Sequence, residues 1–147
     1  MMEGSVNSEL NGKVALVTGA GRGLGRGIAI ELAKNGCKVF LNYKINHEAA
    51  LSTKQEIAAF NGIAELAPAD MSKREDVARL FEQIGAAGRL DFLINNAGVN
   101  RRSTFMETSD ADWDYVLDTN LKGPFMASQE AFRIMEKQKF GRIINIS

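Results

Sequence analysis

Short apolar runs alternate along the chain with longer segments in which apolar residues recur every three or four positions. The runs are typical of strands buried on both faces of a parallel sheet, and the periodic segments are typical of covering helices. Strands are predicted at 14–17, 37–43, 63–68, 90–95 and 142–147. Helices are predicted at about 25–33, 47–60, 72–84 and 109–138, with Ser72 as an N-cap. This alternation predicts an α/β fold, a doubly wound parallel sheet with helices on both faces.

Length and charge place limits on the function. The chain has 147 residues, enough for one domain, which we predict at 12–147 after a polar N-terminal tail at 1–11. Lys+Arg and Asp+Glu balance at 18 each, so no charge excess points to nucleic acid or an anionic membrane. No apolar run approaches the ~20 residues needed to span a bilayer, and the first residues lack the apolar core of a signal peptide. A cytoplasmic location is therefore expected.

Cysteine and histidine are each represented once. A single cysteine, Cys37, excludes an internal disulfide and a cysteine-based metal site, and we predict an inert buried thiol. The only histidine, His47, falls at a predicted helix start and is expected at the surface. No metal site is predicted.

The first strand runs into a glycine-rich turn with four glycines within the seven residues 19–25. Glycines let the backbone approach a ligand closely, and the first turn of the following helix leaves N–H groups that attract an anion. Such a turn can bind a diphosphate, although a purely structural glycine turn is the alternative. The usual G-x-G-x-x-G spacing is not met. The spacing present is Thr18-Gly19-x-x-x-Gly23-x-Gly25.

That spacing resembles the short-chain dehydrogenase/reductase family, whose fingerprint is T-G-x-x-x-G-x-G. Three further motifs match the family in order: Asn95-Asn96-Ala97-Gly98, Asn120 within Asp118–Gly123, and the segment Gly141–Ser147. The resemblance covers the chain from about Leu10 onward. It implies a Rossmann-type fold, here truncated after the fifth strand, and an oxidoreductase that moves hydride between a nicotinamide cofactor and a small-molecule carbonyl/alcohol substrate.

The resemblance also implies which residues hold the cofactor. Asp70 and Met71 would border the adenine, and the backbone N–H of Leu24 would face the diphosphate. Asn96, Ala97 and Gly98 would line the adenosine side and brace the central strand. The predicted cofactor-binding residues are Thr18, Gly19, Arg22, Gly23, Leu24, Gly25, Tyr43, Lys44, Asp70, Met71, Asn96, Ala97 and Gly98.

The residues after the second strand indicate the cofactor. An NAD site usually carries an acid about 20 residues past the glycine turn, bonded to the ribose 2′-hydroxyl. Here the slot holds Asn42-Tyr43-Lys44, without a carboxylate. Lys44 and Arg22 are placed to receive a 2′-phosphate, and both positions match basic residues of NADP-preferring family members; two solvated surface charges are the alternative. We predict NADP(H) over NAD(H).

Asn120 is the candidate catalytic residue. It shares a helical face with an apolar stripe: Trp113, Val116, Leu117 and Leu121. A structural amide bonded to neighbouring backbone is one interpretation. The resemblance implies another, in which Asn120 belongs to a catalytic Asn-Ser-Tyr-Lys set and helps to hold a water in a proton relay. Pro124 follows closely and predicts a distorted helix.

Arg101 and Arg102 follow the Asn-Asn-Ala-Gly motif. In the family this loop borders the substrate, so they could seat an anionic substrate; solvated charge is the alternative.

The Tyr-x-x-x-Lys motif of the family is not found. Four residues after Tyr43 and Tyr115 stand His47 and Thr119, so the general acid is missing and this chain alone is expected to be inactive. The fifth strand should form an exposed sheet edge, with marginal stability or self-association as the consequence.

Two functions stay open. The chain is either the N-terminal part of an NADP(H)-dependent enzyme or a nucleotide-binding module without turnover. For the enzyme, the resemblance implies a 3-oxoacyl thioester or a sugar acid as substrate, and a dimer or tetramer in the full-length protein.

Overall fold

One parallel sheet organises the protein. A computed structural model describes residues 9–147, and its five strands lie in the order β3-β2-β1-β4-β5, all parallel. The strands are β1 Val14–Val17, β2 Lys38–Tyr43, β3 Ile63–Pro68, β4 Phe92–Asn95 and β5 Arg142–Asn145. The helices are α1 Gly23–Lys34, α2 His47–Ala59, α3 Arg74–Gly85, α4 Asp110–Leu117 and α5 Gly123–Gln138. The predicted doubly wound α/β fold is confirmed. The predicted tail at 1–11 lies mostly outside the described residues, and the domain boundary stays a prediction.

Alternate residues of the central strands face opposite layers of helices. Leu16 and Phe40 belong to the apolar cluster formed with α3 and α5. Val17 and Leu41 belong to a second cluster, formed with α1 and α2. This two-residue alternation is the geometry of an extended chain, and it explains why an unbroken apolar run forms a strand covered on both faces.

The strand order reverses direction beside β1. β1 pairs with β2 on one side and with β4 on the other, so the connections leave it toward opposite edges of the sheet. Open parallel sheets bind ligands beyond the carboxyl ends of the strands at such a switch point. A ligand site is therefore expected at the carboxyl ends of β1, β2, β3 and β4.

The start of α3 differs from the prediction. The helix begins at Arg74 with Lys73 as N-cap, and no side chain caps it. The predicted cap, Ser72, is wrong because its hydroxyl donates instead to Asp70 Oδ1 at 2.7 Å. A tight turn after β3 takes up Ser72 before the helix starts.

The predicted helix at 109–138 is interrupted near its middle. The Ser109 side chain caps α4 as an acceptor for the Asp112 amide. Between α4 and α5 the residues Asp118–Lys122 form a π-helical segment, and proline stands in the first turn of α5. The expected distortion beside Asn120 is thus confirmed. Gly123 marks a close approach, since a Cβ there would lie 2.8 Å from Met71 O.

The second half of the chain exposes apolar surface. The apolar stripe on α4 and the π segment is not buried, since Trp113 is 61% and Leu121 is 66% exposed. All four residues of β5 are exposed and the strand forms the sheet edge, as expected. Within residues 9–147, no helix combines the length and apolar character needed to cross a membrane.

Candidate functional site

A cleft of about 490 Å³ opens at the carboxyl ends of β1, β2, β3 and β4. Ten of the predicted site residues line it: Gly19, Arg22, Gly23, Tyr43, Lys44, Asp70, Met71, Asn96, Ala97 and Gly98. Four others lie outside its lining: Thr18, Leu24, Gly25 and Asn120. The ten lining residues come from four separate parts of the sequence, which therefore meet at one site.

The glycine turn has the backbone of an anion cradle. Gly19 and Gly23 adopt left-handed φ angles of 65° and 54°, a region that favours glycine. A Cβ on Gly23 would meet no protein atom within 4 Å, so the space beside it belongs to the cleft. The Arg26 amide donates to Arg22 O at 3.2 Å, and the amides before it in the first turn have no intrahelical acceptor. A diphosphate fits these free donors.

Gly25 brings α1 against the turn. A Cβ on this residue would lie 2.2 Å from Gly19 O and 2.5 Å from Asn96 Nδ2. Gly25 is buried, and its contribution is close packing of helix and turn rather than a surface facing the cleft.

Thr18 ties the ends of β1 and β4 together. Its hydroxyl donates to Ile94 O at 3.3 Å and accepts from the amides of Asn96 and Ala97, each at 2.9 Å. In return, Asn96 Nδ2 donates to Thr18 O at 3.0 Å and to Gly19 O at 3.3 Å. Thr18 is buried and lies behind the cleft lining, so these hydrogen bonds hold the backbone of the glycine turn and of residues 96–97 in place; its cofactor-binding role stays a prediction.

Asn42 occupies the slot where an NAD site usually has its acid. Its Nδ2 donates to Ala67 O at 3.1 Å and Ala69 O at 3.2 Å, and its Oδ1 accepts from the Gly19 amide at 3.4 Å. The buried amide therefore joins β2 to the end of β3 and to the glycine turn. This bracing role was missed from the sequence, although a polar residue ending an apolar strand was a usable signal.

An ion pair joins the residues that follow β2 and β3 at the cleft. Lys44 Nζ lies 2.9 Å from Asp70 Oδ2. Burial raises the pKa of Asp70, but the hydrogen bonds from Lys44 and Ser72 outweigh it and lower this pKa overall. The hydrogen bond to Asp70 raises the pKa of Lys44. Both shifts favour the ionised pair. Beside it, Tyr43 Oη lies 2.6 Å from Nδ1 of His47, which is exposed as expected.

Several residues of the cleft wall were missed from the sequence: Gly21, Asn42, Ile45, Asn46, Ala49, Ala69, Val99, Tyr115 and Thr119. Tyr115 and Thr119 come from the helical region that follows β4. Their approach to the ends of β2 and β3 depends on the tertiary path of α4, which no local pattern indicates. Among the described residues, Thr119 Oγ1 is the buried side-chain polar atom without a hydrogen-bond partner. An orphaned hydroxyl at the cleft wall fits a polar ligand group.

Asn120 fixes the loop after the Asn-Asn-Ala-Gly motif. Its Oδ1 accepts from the Val99 amide and its Nδ2 donates to Val99 O, both at 2.8 Å. Its side chain is exposed rather than buried. The interpretation as an amide bonded to neighbouring backbone is therefore correct, and the proton-relay role stays a prediction.

Arg101 turns toward α4. Its Nε lies 3.6 Å from Asp112 Oδ1, and its Cζ lies 4.6 Å from the Tyr115 ring centroid. Arg102 is exposed. An anionic-substrate seat formed by this arginine pair stays a hypothesis.

A strand, a glycine turn and a helix N-terminus at a switch point define a Rossmann-type nucleotide-binding fold. The sequence matches the short chain dehydrogenase family over residues 13–147. The protein therefore belongs to the short-chain dehydrogenase family of oxidoreductases.

Curated relatives give a finer comparison. A 3-oxoacyl-(acyl-carrier-protein) reductase of Staphylococcus aureus is 43% identical over 137 residues, covering 92% of this chain and 55% of the relative. A reductase of the same description from Synechocystis is 40% identical, with coverages of 94% and 56%. The chain thus spans about half the length of the curated relatives it matches.

Solved structures share the fold. A metagenomic short-chain oxidoreductase in complex with NADP matches with a TM-score of 0.90 and 38% identity, covering 95% of this chain and 63% of that one. A protein of Agrobacterium tumefaciens described as a gluconate dehydrogenase matches with a TM-score of 0.89 and 36% identity, covering 94% and 55%.

Proposed function

We propose that this chain is the cofactor-binding part of an NADP(H)-dependent oxidoreductase acting on a small-molecule carbonyl/alcohol pair. The observation that carries the proposal is the cleft, where a glycine turn and two cations, Arg22 and Lys44, line one continuous surface. The resemblance of the chain to a short-chain oxidoreductase solved with NADP supports the same cofactor.

The diphosphate would lie against Gly19, Gly23 and the first-turn amides of α1, including that of Leu24. The adenine would lie beside Asp70 and Met71. Thr119 gives independent support to the binding of a polar ligand in this cleft, because its hydroxyl lines the cleft and lacks a hydrogen-bond partner within the described residues. The segment 96–98 would line the remaining wall.

The preference for NADP(H) over NAD(H) is supported by the slot after β2. Asn42 is buried there and its amide is committed to Ala67, Ala69 and Gly19, so it is not available to a ribose hydroxyl. Arg22 and Lys44 carry positive charge on the same cleft, which favours a 2′-phosphate.

The nicotinamide, when bound, supplies or accepts the hydride. The residues of this chain bind the cofactor and orient it, and Asn120 would help to hold a water of the proton relay beside the loop that it fixes through Val99. The sequence carries no Tyr-x-x-x-Lys motif to protonate a carbonyl oxygen. We therefore propose that these 147 residues alone bind cofactor without turnover.

Two substrate classes have support among the relatives. The curated relatives are 3-oxoacyl-(acyl-carrier-protein) reductases, which favours a 3-oxoacyl thioester. The neighbour described as a gluconate dehydrogenase favours a sugar acid. A nucleotide-binding module without turnover is the second candidate function, because the same cleft serves both functions.

Homo-oligomerisation in the complete protein belongs to this proposal. Its support is the exposed apolar surface of α4, the π segment and α5, formed by Trp113, Leu117, Leu121, Phe125 and Phe132. Apolar surface of this kind marks interaction sites.

Fluorescence titration of the 147-residue protein with NADPH and NADH tests the cofactor assignment. We expect tighter binding of NADPH, weakened severalfold by Arg22→Gln or Lys44→Gln, with NADH binding unchanged. Arg133→Gln is the control, because this exposed arginine pairs with Glu130 on α5, away from the cleft. Tighter binding of NADH would contradict the assignment. Reduction of a 3-oxoacyl thioester or oxidation of gluconate by this chain would contradict the expected lack of turnover.

A further inference from the structure

One of the two cations predicted to receive a 2′-phosphate already has an anionic partner. Lys44 at the end of β2 and Asp70 just after β3 are joined by an ion pair of 2.9 Å. Asp70 is held firmly in this position. Its other oxygen, Oδ1, accepts from the Ser72 amide at 3.0 Å and from the Ser72 hydroxyl at 2.7 Å. The carboxylate is therefore a fixed anion within reach of the ammonium group.

Lys44 is also held on a second side. Its Nζ lies 5.4 Å from the Tyr115 ring centroid, and the guanidinium of Arg101 contacts the same ring at 4.6 Å. The aromatic ring attracts both cations, and Lys44 and Tyr115 both line the cleft.

The second predicted cation lacks such a partner. Arg22 lines the cleft from the glycine turn, and within residues 9–147 it takes part in no ion pair. The two cations of the cleft are thus in different situations. Arg22 is available to an incoming phosphate, whereas Lys44 must first leave Asp70 or share its charge.

We propose that Asp70 competes with the 2′-phosphate for Lys44 and thereby sets how strongly the protein prefers NADP(H) over NAD(H). This inference rests on the proposed cofactor function. NAD(H) leaves the Lys44–Asp70 pair intact, whereas NADP(H) exchanges one anion for another at the same ammonium group. Removing the charge of Asp70 should therefore strengthen the preference for NADP(H), the opposite of what loss of an ordinary binding residue produces.

The ratio of two dissociation constants isolates this effect. Any contact of Asp70 with the adenine is common to NAD⁺ and NADP⁺, so it cancels when Kd for NAD⁺ is divided by Kd for NADP⁺. Calorimetric titration of the 147-residue protein gives both constants. We expect Asp70→Asn to raise the ratio about three- to fivefold, the range corresponding to a partly exposed ion pair.

A double-mutant cycle ties the effect to Lys44. Lys44→Gln should lower the ratio, and Asp70→Asn added to Lys44→Gln should leave it unchanged, because no ammonium group remains to be released. The matched control is Glu65→Gln, which breaks the Lys38–Glu65 pair of 2.6 Å between the same two strands, outside the cleft lining. This control should not alter the ratio.

Three outcomes would overturn the inference: an equal change in both affinities on Asp70→Asn, a fall in the ratio, or the same rise in the absence of Lys44. Asp70→Ser serves as the second variant if Asp70→Asn does not fold, with the same expected direction. Failure of the unsubstituted protein to bind either dinucleotide would instead remove the proposed function, and this inference with it.

Discussion

β1 and β5 both contain consecutive apolar residues, but their environments are opposite. All four residues of β1 are buried, and Leu16 has no exposed surface. β5 also carries consecutive branched apolar residues, yet Ile144 remains 47% exposed. β1 has a strand on each side and helices on both faces, whereas β5 pairs only with β4. The comparison teaches that an apolar run specifies a strand, while its burial depends on which partners the rest of the chain provides.

The cleft residues and the region after β4 differ in the same way in how well they are packed. One part of the cleft is built from the ends of β1, β2 and β3 with their loops, and hydrogen bonds of Asn42 and Asn96 join these ends. The region after β4 carries the exposed apolar surface and the exposed Asn120. This contrast supports the proposal that these residues bind a cofactor without turnover.

The largest expected effect is the difference between matched truncations in the two strands. Leu16→Ala should lower the free energy of unfolding by about 2–5 kcal/mol, because it empties a fully buried site. Ile144→Ala should cost about 1 kcal/mol or less, since its side chain is already half exposed. Urea unfolding of both variants measures the difference. Equal losses would show that β5 is covered in solution.

Two glycines in α1, Gly25 and Gly27, differ in how closely the protein packs around them. Gly25→Ala should destabilise the protein by roughly 2–3 kcal/mol and weaken dinucleotide binding, because its Cβ would meet Gly19 O. Gly27→Ala, with no atom near its Cβ, should stabilise α1 by about 0.5–1 kcal/mol. Thermal unfolding and NADP⁺ titration of both variants provide the test. A harmless Gly25→Ala would contradict the described packing of turn and helix.

The buried thiol of Cys37, just before β2, should make the stability of the protein depend on pH in the alkaline range. Burial, followed by the charge of Asp91, raises the pKa of this thiol from 9.0 to about 11. The unfolded chain ionises first, so stability present below pH 9 should be lost as the pH rises toward 11. At pH 10.5 the loss attributable to Cys37 is at most about 2 kcal/mol. Urea unfolding at pH 8 and 10.5 should therefore show a smaller loss for Cys37→Ala, and an identical pH dependence would argue against a buried thiol.

The smallest expected change concerns Thr119. Thr119→Val removes an unpaired buried hydroxyl and should raise the free energy of unfolding by about 1 kcal/mol. If this hydroxyl contacts the cofactor, the same variant should bind NADP⁺ more weakly, while Thr119→Ser keeps the affinity. Stability and affinity would then change in opposite directions. Unchanged affinity in Thr119→Val would remove this residue from the proposed site.

Local patterns predicted most of the fold and much of the cleft. Strand runs, the glycine turn and the cations Arg22 and Lys44 are local features, and residues that follow parallel strands necessarily meet at one sheet edge. Two features depend on contacts between segments distant in sequence: the pairing of Lys44 with Asp70 and the approach of Tyr115 to Lys44. Ser72 does not cap α3 because its hydroxyl donates to Asp70 instead, a competing hydrogen bond that the sequence pattern does not indicate. Exposure of the stripe around Trp113 could not be predicted, because periodicity identifies a face but not what covers it.

The central claim is that a dinucleotide binds with its diphosphate at the glycine turn after β1. The most direct test is to titrate the ¹⁵N-labelled protein with NADP⁺ and follow the backbone amide resonances. We predict the largest shifts at residues 19–25, with smaller ones at 43–46, 69–71 and 96–99. Saturable binding that shifts α5 or β5 and leaves residues 19–25 unchanged would contradict it.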